Sequence, residues 1–257
     1  MSDKHIFLSD VHYGAFAEKT NKEIQRDLID LIEFCIENNI KLHILGDFFD
    51  YWMEYPNHYP ELGSEILDML RVYIASEGSI LYITGNHDNW TRNYLSDMGF
   101  DIEPEYRIIE IDQYSVFLLH GDGLKDSKFN LPRPWFHRIL RHPHFIRIYQ
   151  IIFGPSKGLR LMKWFSDYNR ARPQFNPDRL TDWAKDFLSK NEVNFVISGH
   201  DHFPRIETFY SGSYINCGTF YSHRSMVQYT NGHFELVKWD SINRQTTPFQ
   251  GYKTSEQ

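Results

Sequence analysis

Five short polar clusters constrain this chain more than any other feature, because each stands where a run of apolar residues ends. They are Asp10-Val11-His12, Gly46-Asp47-Phe48-Phe49-Asp50, Gly85-Asn86-His87-Asp88, His120-Gly121-Asp122 and Gly199-His200-Asp201-His202. The runs before them, residues 4–9, 40–45, 79–84, 114–119 and 193–198, are short and rich in β-branched and aromatic residues, as buried strands are. A polar cluster after a strand's carboxyl end is where open α/β sheets place their ligands. Five strand ends are therefore expected to converge on one rim, with Gly46, Gly85, Gly121 and Gly199 admitting tight turns and close approach beside the polar residues.

The residue types fit a metal centre. Together the clusters offer Asp, His and Asn side chains in numbers sufficient for two divalent ions. Imidazole nitrogens mixed with carboxylates and an amide oxygen suit Mn, Fe or Zn, whereas all-oxygen sites suit Mg or Ca and thiolate sites suit structural Zn. Mn²⁺ is the leading choice, with iron and zinc as alternatives. Two ions held about 3.5–4 Å apart clamp the attacking and leaving oxygens of a phosphoryl group, and such a pair needs a bridging carboxylate. Asp47 is the candidate bridge. Taken singly each cluster is weak, since Asp-x-His or Gly-Asp after a strand is usually a capped loop or a turn; the argument rests on their conjunction and order.

That order, Asp-x-His, Gly-Asp-x-x-Asp, Gly-Asn-His-Asp, His-Gly-Asp and Gly-His-x-His, resembles the calcineurin-like metallophosphoesterases. The resemblance implies a four-layer α/β/β/α sandwich. It implies that Asp10, His12, Asp47 and His202 hold one metal and that Asp47, Asn86, His120 and His200 hold the other. It also implies that His87 contacts the scissile phosphate and helps the leaving group depart, with Asp88 orienting it. Residues 45–52, the strand end at 118–123, Gly218 and Ser225-Met226-Val227 extend the likeness to UDP-2,3-diacylglucosamine pyrophosphohydrolases. That group hydrolyses its lipid nucleotide by attack on the α-phosphorus, giving UMP and 2,3-diacylglucosamine 1-phosphate. His87 stands where that group carries Arg.

Charge is unevenly distributed. The chain carries a formal −7, yet residues 124–172 hold eleven Lys and Arg against two Asp, interleaved with Trp135, Phe136, Ile148, Ile151, Ile152 and Trp164. Such asymmetry points to an anionic partner met on one side, and basic with aromatic residues suits a membrane interface or an acyl-chain pocket. Lys157, Arg160, Lys163 and Arg170 are the candidate diphosphate contacts. Three functions share these residues: hydrolysis of a nucleotide-linked lipid, a soluble phosphoesterase acting on a nucleotide, phosphodiester or phosphoprotein, and a nuclease-like nucleic-acid binder. Nucleic acid ranks below the others because the rest of the chain is acidic and would repel a long polyanion.

With 257 residues, 41% hydrophobic, the chain can bury a full core. The expected organisation is one domain over residues 1–240, a helical cap inserted at 124–172, and a polar tail from 241 that frays. Residues 19–38 read as an amphipathic helix with Ile24, Leu28, Leu31, Ile32 and Cys35 inward, and 61–77 and 179–190 read as two more. Four alternating segments between 205 and 239 read as an antiparallel meander, with Asn231-Gly232 as a hairpin turn. Cys35 and Cys217 fit buried reduced thiols. The first strand starts too early for a signal peptide and no apolar run reaches the roughly 20 residues of a spanning helix, so the expectation is a cytoplasmic protein, peripheral to the inner face of the membrane.

Overall fold

Alternation along the strands sorts the core into layers. The computed structural model describes residues 3–170 and 178–251, the side chains of 169 and 170 excepted. Its strands are β1 (Lys4–Leu8), β2 (Ile40–Leu45), β3 (Ile80–Ile83), β4 (Phe100–Glu103), β5 (Tyr106–Ile111), β6 (Tyr114–Leu119), β7 (Phe195–Ser198), β8 (Arg205–Phe209), β9 (Gly212–Asn216), β10 (Ser225–Thr230), β11 (His233–Asp240) and β12 (Gln245–Pro248). Its helices are α1 (Glu18–Glu37), α2 (Ser64–Glu77), α3 (Tyr94–Asp97), α4 (Trp135–Leu140), α5 (Pro143–Arg170), α6 (Asp178–Lys190) and α7 (Phe220–His223). The strands form one sheet in the order β12-β11-β10-β1-β2-β3-β4 and a second in the order β5-β6-β7-β9-β8.

Ile6 and Leu8 of β1 pack with Leu42 and Ile44 of β2 against Ile24, Leu28 and Leu31 of α1. Phe7, between them in sequence, faces the second sheet and meets Val116, Leu118 and Ile197. Phe117 and Leu119, on the opposite face of β6, lie under Leu180, Trp183 and Phe187 of α6. Each strand of period two thus serves two cores, and the result is the four-layer α/β/β/α order. Parallel pairing of β1, β2 and β3 aligns their carboxyl ends in one sheet, and that of β6 and β7 does so in the other. The clusters therefore occupy two facing rims, three on one sheet and two on the other, rather than a single rim.

Several features depart from expectation. The segments from 205 to 239 are two hairpins in different sheets, β8–β9 in one and β10–β11 in the other, because β10 pairs with β1 instead of β9. The tail does not fray at 241: β12 returns to pair with β11, Trp239 opposite Thr246. Strands β4 and β5 extend the two sheets outward.

Between β6 and α6 the chain forms the cap, α4 and α5. Helix α5 breaks at Gly154 (φ 60°, ψ 174°), after which Pro155 opens a new helical segment, where its missing N–H costs nothing. A small core of Met53, Tyr55, Trp90 and Tyr149 seats the cap on the loops below. Asp122, the acid of His-Gly-Asp, holds it at the other end. Its Oδ2 lies 3.1 Å from both Arg133 Nε and Arg141 Nη2, and Arg141 Nη2 also donates to Gly85 O at 2.7 Å. These two guanidinium groups keep the Asp122 carboxyl well below the usual range although burial opposes its charge.

Candidate metal centre

The turns that carry the clusters are bonded to one another before any side chain is considered. Asp10 N donates to Gly46 O (3.1 Å) and His12 N to Asp47 O (2.9 Å), so the first two turns run side by side. Gly199 N donates to His120 O (3.0 Å) across the second sheet. A Cβ on Gly199 would fall on the Ser9 hydroxyl and the Asp10 carboxylate, so glycine is what lets the rim of one sheet touch the rim of the other. Asp10, His12, Asp47, His200 and His202 all have positive φ, between 48° and 74°. Left-handed backbone at non-glycine residues costs of order 1–3 kcal/mol each and persists only where surroundings over-determine it; here it occurs at the ligand candidates themselves.

Asp10 and Asp47 each spend one oxygen on the protein and leave the other toward a common centre. Asp10 Oδ2 accepts from Ser9 Oγ (2.6 Å) and His200 N (2.8 Å), while its Oδ1 is buried without a hydrogen bond, 3.1 Å from His202 Nε2 and 3.6 Å from His12 Nε2. Asp47 Oδ1 accepts from His87 N (2.9 Å), and its Oδ2 lies 3.3 Å from His120 Nε2 and 3.8 Å from His12 Nε2. His120 Nδ1 sits 2.9 Å from the Leu45 carbonyl, to which it must donate, so Nε2 is the nitrogen directed at the centre; it lies 3.2 Å from Asn86 Oδ1. His12 Nε2 and His202 Nε2 face each other at 3.3 Å.

Lone pairs converging at such distances repel unless a cation lies among them. The buried Oδ1 of Asp10, with no hydrogen bond of its own, is the position that a metal would satisfy. Two triads, Asp10-His12-His202 and Asp47-His120-His200, each bring one ligand atom per residue within 4.8 Å of one another, and His12, Asp47 and His87 form a third. The donor set fits divalent transition metals.

Electrostatics point the same way. Burial disfavours a charged His12, yet the carboxylates of Asp10, Asp50 and Asp47 outweigh it and raise its pKa to about 10. His120 is likewise raised to about 10 against burial, mainly by Asp47. His200 is pushed down to about 3 by burial, with the neighbouring His120 adding to the effect. Without metal this pocket collects protons, and metal uptake must displace them.

One expectation about a supporting residue is corrected. Asp88 does not orient His87: its oxygens accept from Phe48 N (2.8 Å), Tyr82 Oη (2.6 Å) and Gly85 N (2.7 Å), which pins the third turn to the second. His87 is set instead by Asp50, whose main-chain oxygen lies 2.8 Å from Nδ1, and Ser166 Oγ of α5 stands 3.3 Å from the same nitrogen. Asp50 also faces His12 Nδ1 at 3.3 Å and accepts from Ser166 at 3.0 Å. The signal for Asp50 in the sequence is the x-x-Asp that follows Gly46-Asp47.

The described basic candidates stand apart from the cavity at the cluster. Helix α5 turns Met162, Phe165 and Ser166 toward the cluster, an i, i+3, i+4 face, and this leaves Lys157, Arg160 and Lys163 exposed. Arg160 and Lys163 border a separate cleft of about 150 Å³ beside Tyr51, and Lys163 Nζ lies 5.6 Å from that ring's centre. The Arg170 side chain lies outside the described residues. Among the described residues, the arginine that lines the cavity at the cluster is Arg179, which donates to Gly121 O at 2.9 Å.

That cavity, about 680 Å³, runs from His12, Asp47, Asn86, His87, His200 and His202 to an apolar wall of Trp52, Met53, Trp90, Phe136, Leu140 and Phe165. On the outside of the cap Trp135, Ile148, Ile151, Ile152 and Trp164 are more than half exposed, at 57–74%. No helix among the described residues is long and apolar enough to cross a membrane.

Comparison with known proteins places the chain among phosphoesterases. The family model described as calcineurin-like phosphoesterase matches residues 4–204. The chain is similar to the UDP-2,3-diacylglucosamine hydrolase of Wigglesworthia glossinidia brevipalpis, 26% identical over 92% of this chain and 94% of that protein. It is similar to those of Hamiltonella defensa (25%, covering 78% of each) and Porphyromonas gingivalis (26%, covering 79% of this chain and 84% of that one).

Proposed function

The chain belongs to the calcineurin-like phosphoesterase family and is a hydrolytic enzyme, and from that premise we propose that it hydrolyses the diphosphate of UDP-2,3-diacylglucosamine to UMP and 2,3-diacylglucosamine 1-phosphate. The observation that carries this reading is the continuity of the cavity, which joins the His and Asp cluster to an apolar wall under the cap. A phosphate at the cluster with acyl chains along that wall uses both. The names of the curated relatives support the same substrate.

Asp10, His12, Asp47 and His202 would hold one divalent ion and Asp47, Asn86, His120 and His200 the other, with Mn²⁺ favoured by the mixed nitrogen and oxygen donors. When bound, such a pair activates water near neutral pH and neutralises charge developing on phosphorus. The chain's own side chains do the rest. Asp50 O accepts a hydrogen bond from His87 Nδ1, so Nε2 is the ring atom left to face the departing oxygen, and a His87 ring carrying protons on both nitrogens would give its Nε2 proton to that oxygen. Asp50 and Ser166 keep the His12 and His87 rings in register. The cap covers the cluster and limits water around the reacting phosphate. Its basic and apolar outer face suits contact with an anionic membrane surface, where such a substrate resides.

The test is release of UMP from UDP-2,3-diacylglucosamine by purified protein with Mn²⁺ and detergent, beside bis-p-nitrophenyl phosphate. Fast cleavage of the lipid nucleotide that is lost in Asp47→Ala is the expected result. Cleavage of the generic ester alone would overturn the lipid assignment and leave a phosphoesterase of other specificity.

A further inference from the structure

The cavity has a second aromatic region that the acyl chains do not require. The cap's side chains approach the cluster through Asp50 and His87, by way of Ser166. Phe16 and Tyr221 approach it through the other imidazoles. The Tyr221 ring lies 5.8 Å from that of His12 and 5.9 Å from that of His202, edge-on to both at 79° and 81°. Phe16 stands beside it, centroids 4.8 Å apart and tilted by 36°, and both rings line the cavity while remaining only partly buried.

The backbone that bears both rings is tied to the turns that carry the cluster. Phe220 N, one residue before Tyr221, donates to Asp10 O at 3.2 Å, so α7 is tied to the first turn. The Asn21 side chain clasps the loop that bears Phe16, donating to Phe16 O at 2.6 Å and accepting from Gly14 N at 3.1 Å. A pair of rings one imidazole away from the cluster has the placement that a planar group one sugar removed from phosphorus would need.

From this juxtaposition we propose that Phe16 and Tyr221 form a platform for the nucleobase of the substrate. The inference rests on the nucleotide-linked diphosphate reading above and adds where the nucleoside goes. A diphosphate carries two substituents, and when the acyl-bearing sugar takes the apolar wall under the cap the nucleoside must lie elsewhere. Bases stack on aromatic side chains with enough strength that losing one ring weakens binding by about tenfold or more. Stacking reads the planar face and not the hydrogen-bonding edge, so this platform favours a base over none and discriminates weakly among bases.

The experiment is calorimetric titration of Mn²⁺-loaded protein with UMP and with ribose 5-phosphate, which keeps the sugar phosphate and lacks the base. The wild-type chain is expected to bind UMP about tenfold more tightly than ribose 5-phosphate. Tyr221→Leu, which keeps apolar volume but removes the ring, should bring UMP down to the level of ribose 5-phosphate and leave the latter unchanged. Tyr221→Phe should retain the preference. Phe16→Leu should reduce it by about threefold, and it serves as the test should Tyr221→Leu fail to fold. Equal affinities in the wild type, or equal losses for both ligands in the variants, would overturn the platform. The two readings separate cleanly: UMP preference without cleavage of UDP-2,3-diacylglucosamine keeps the platform and removes the lipid substrate, whereas cleavage with no base preference removes the platform alone.

Discussion

In the ligand turns, Asp10 Oδ2, Asp47 Oδ1 and His120 Nδ1 are each bonded to the protein within 2.6–2.9 Å, which leaves one atom of each for the centre. Along α5 the polar groups are spread over solvent, and Ile151 and Ile152 are 74% and 66% exposed beside them. The first region is determined by short-range bonds between neighbouring turns. The second is determined by which face of a helix, with apolar residues inside and out, is pressed against the loops below it. The difference teaches that the chemistry here is local and the specificity is not: a ligand's place follows from the strand before it, whereas a substrate contact follows from the rotation of an inserted helix.

The comparison can be broken at its strong end. Asp47→Ala or His120→Ala should lower turnover by about a thousandfold or more, as expected when several kcal/mol of charge stabilisation are lost, and near wild-type rates in steady-state assays would sink the two-metal account. Arg141→Met should cost about 3 kcal/mol by denaturant melting, since it leaves the buried Asp122 carboxylate short of a partner. It should slow the lipid nucleotide more than a generic ester, and equal slowing would show that the cap's seating does not matter to specificity. Gly199→Ala, whose Cβ has no room, should destabilise by about 1–3 kcal/mol and weaken metal retention, read by melting with and without Mn²⁺. Trp164→Ser on the cap's outer face should change stability by no more than about 0.5 kcal/mol while lowering co-sedimentation with anionic vesicles; unchanged sedimentation would argue against membrane contact there.

Acid should probe a third place, between the sheets. His5 Nδ1 lies 2.9 Å from His43 Nε2, and burial pushes their pKa values down to about 4 and about 3 from the ordinary 6.5. Because the folded values are depressed, the unfolded chain takes up these protons first as pH falls below about 6.5. Stability is therefore complete above that pH and lost as pH drops toward 4, by about 1.4 kcal/mol per pH unit for each histidine. His43→Phe, which keeps the stack on Phe7 at 4.7 Å, should flatten that slope, and an unchanged slope in urea melts would assign acid sensitivity elsewhere.

The sequence was most legible where one residue's surroundings decide its fate. The inward residues Ile24, Leu28, Leu31, Ile32 and Cys35 of α1 are all buried, since a 3.6-residue period leaves one face for the core. The strands before the five clusters stand close to where the apolar runs place them. Asp88 was misread because its partners, Phe48 N and Tyr82 Oη, come from the neighbouring turn and the preceding strand, a register that one chain does not display. The hairpins β8–β9 and β10–β11 have the same local pattern, and only long-range pairing with β1 sends the second to the other sheet. Helix α5 hid its inner face because Ile148, Ile151 and Trp164 outside are as apolar as Tyr149, Met162 and Phe165 inside, so periodicity gave no direction.

The most direct test of the centre is the count of divalent metal per chain, by mass spectrometry of protein equilibrated with Mn²⁺ and freed of excess. Two ions per wild-type chain, with Asp47→Ala retaining one or none, is the result that the shared position of Asp47 predicts. One ion in the wild type, or two in Asp47→Ala, would contradict a centre bridged by that carboxylate.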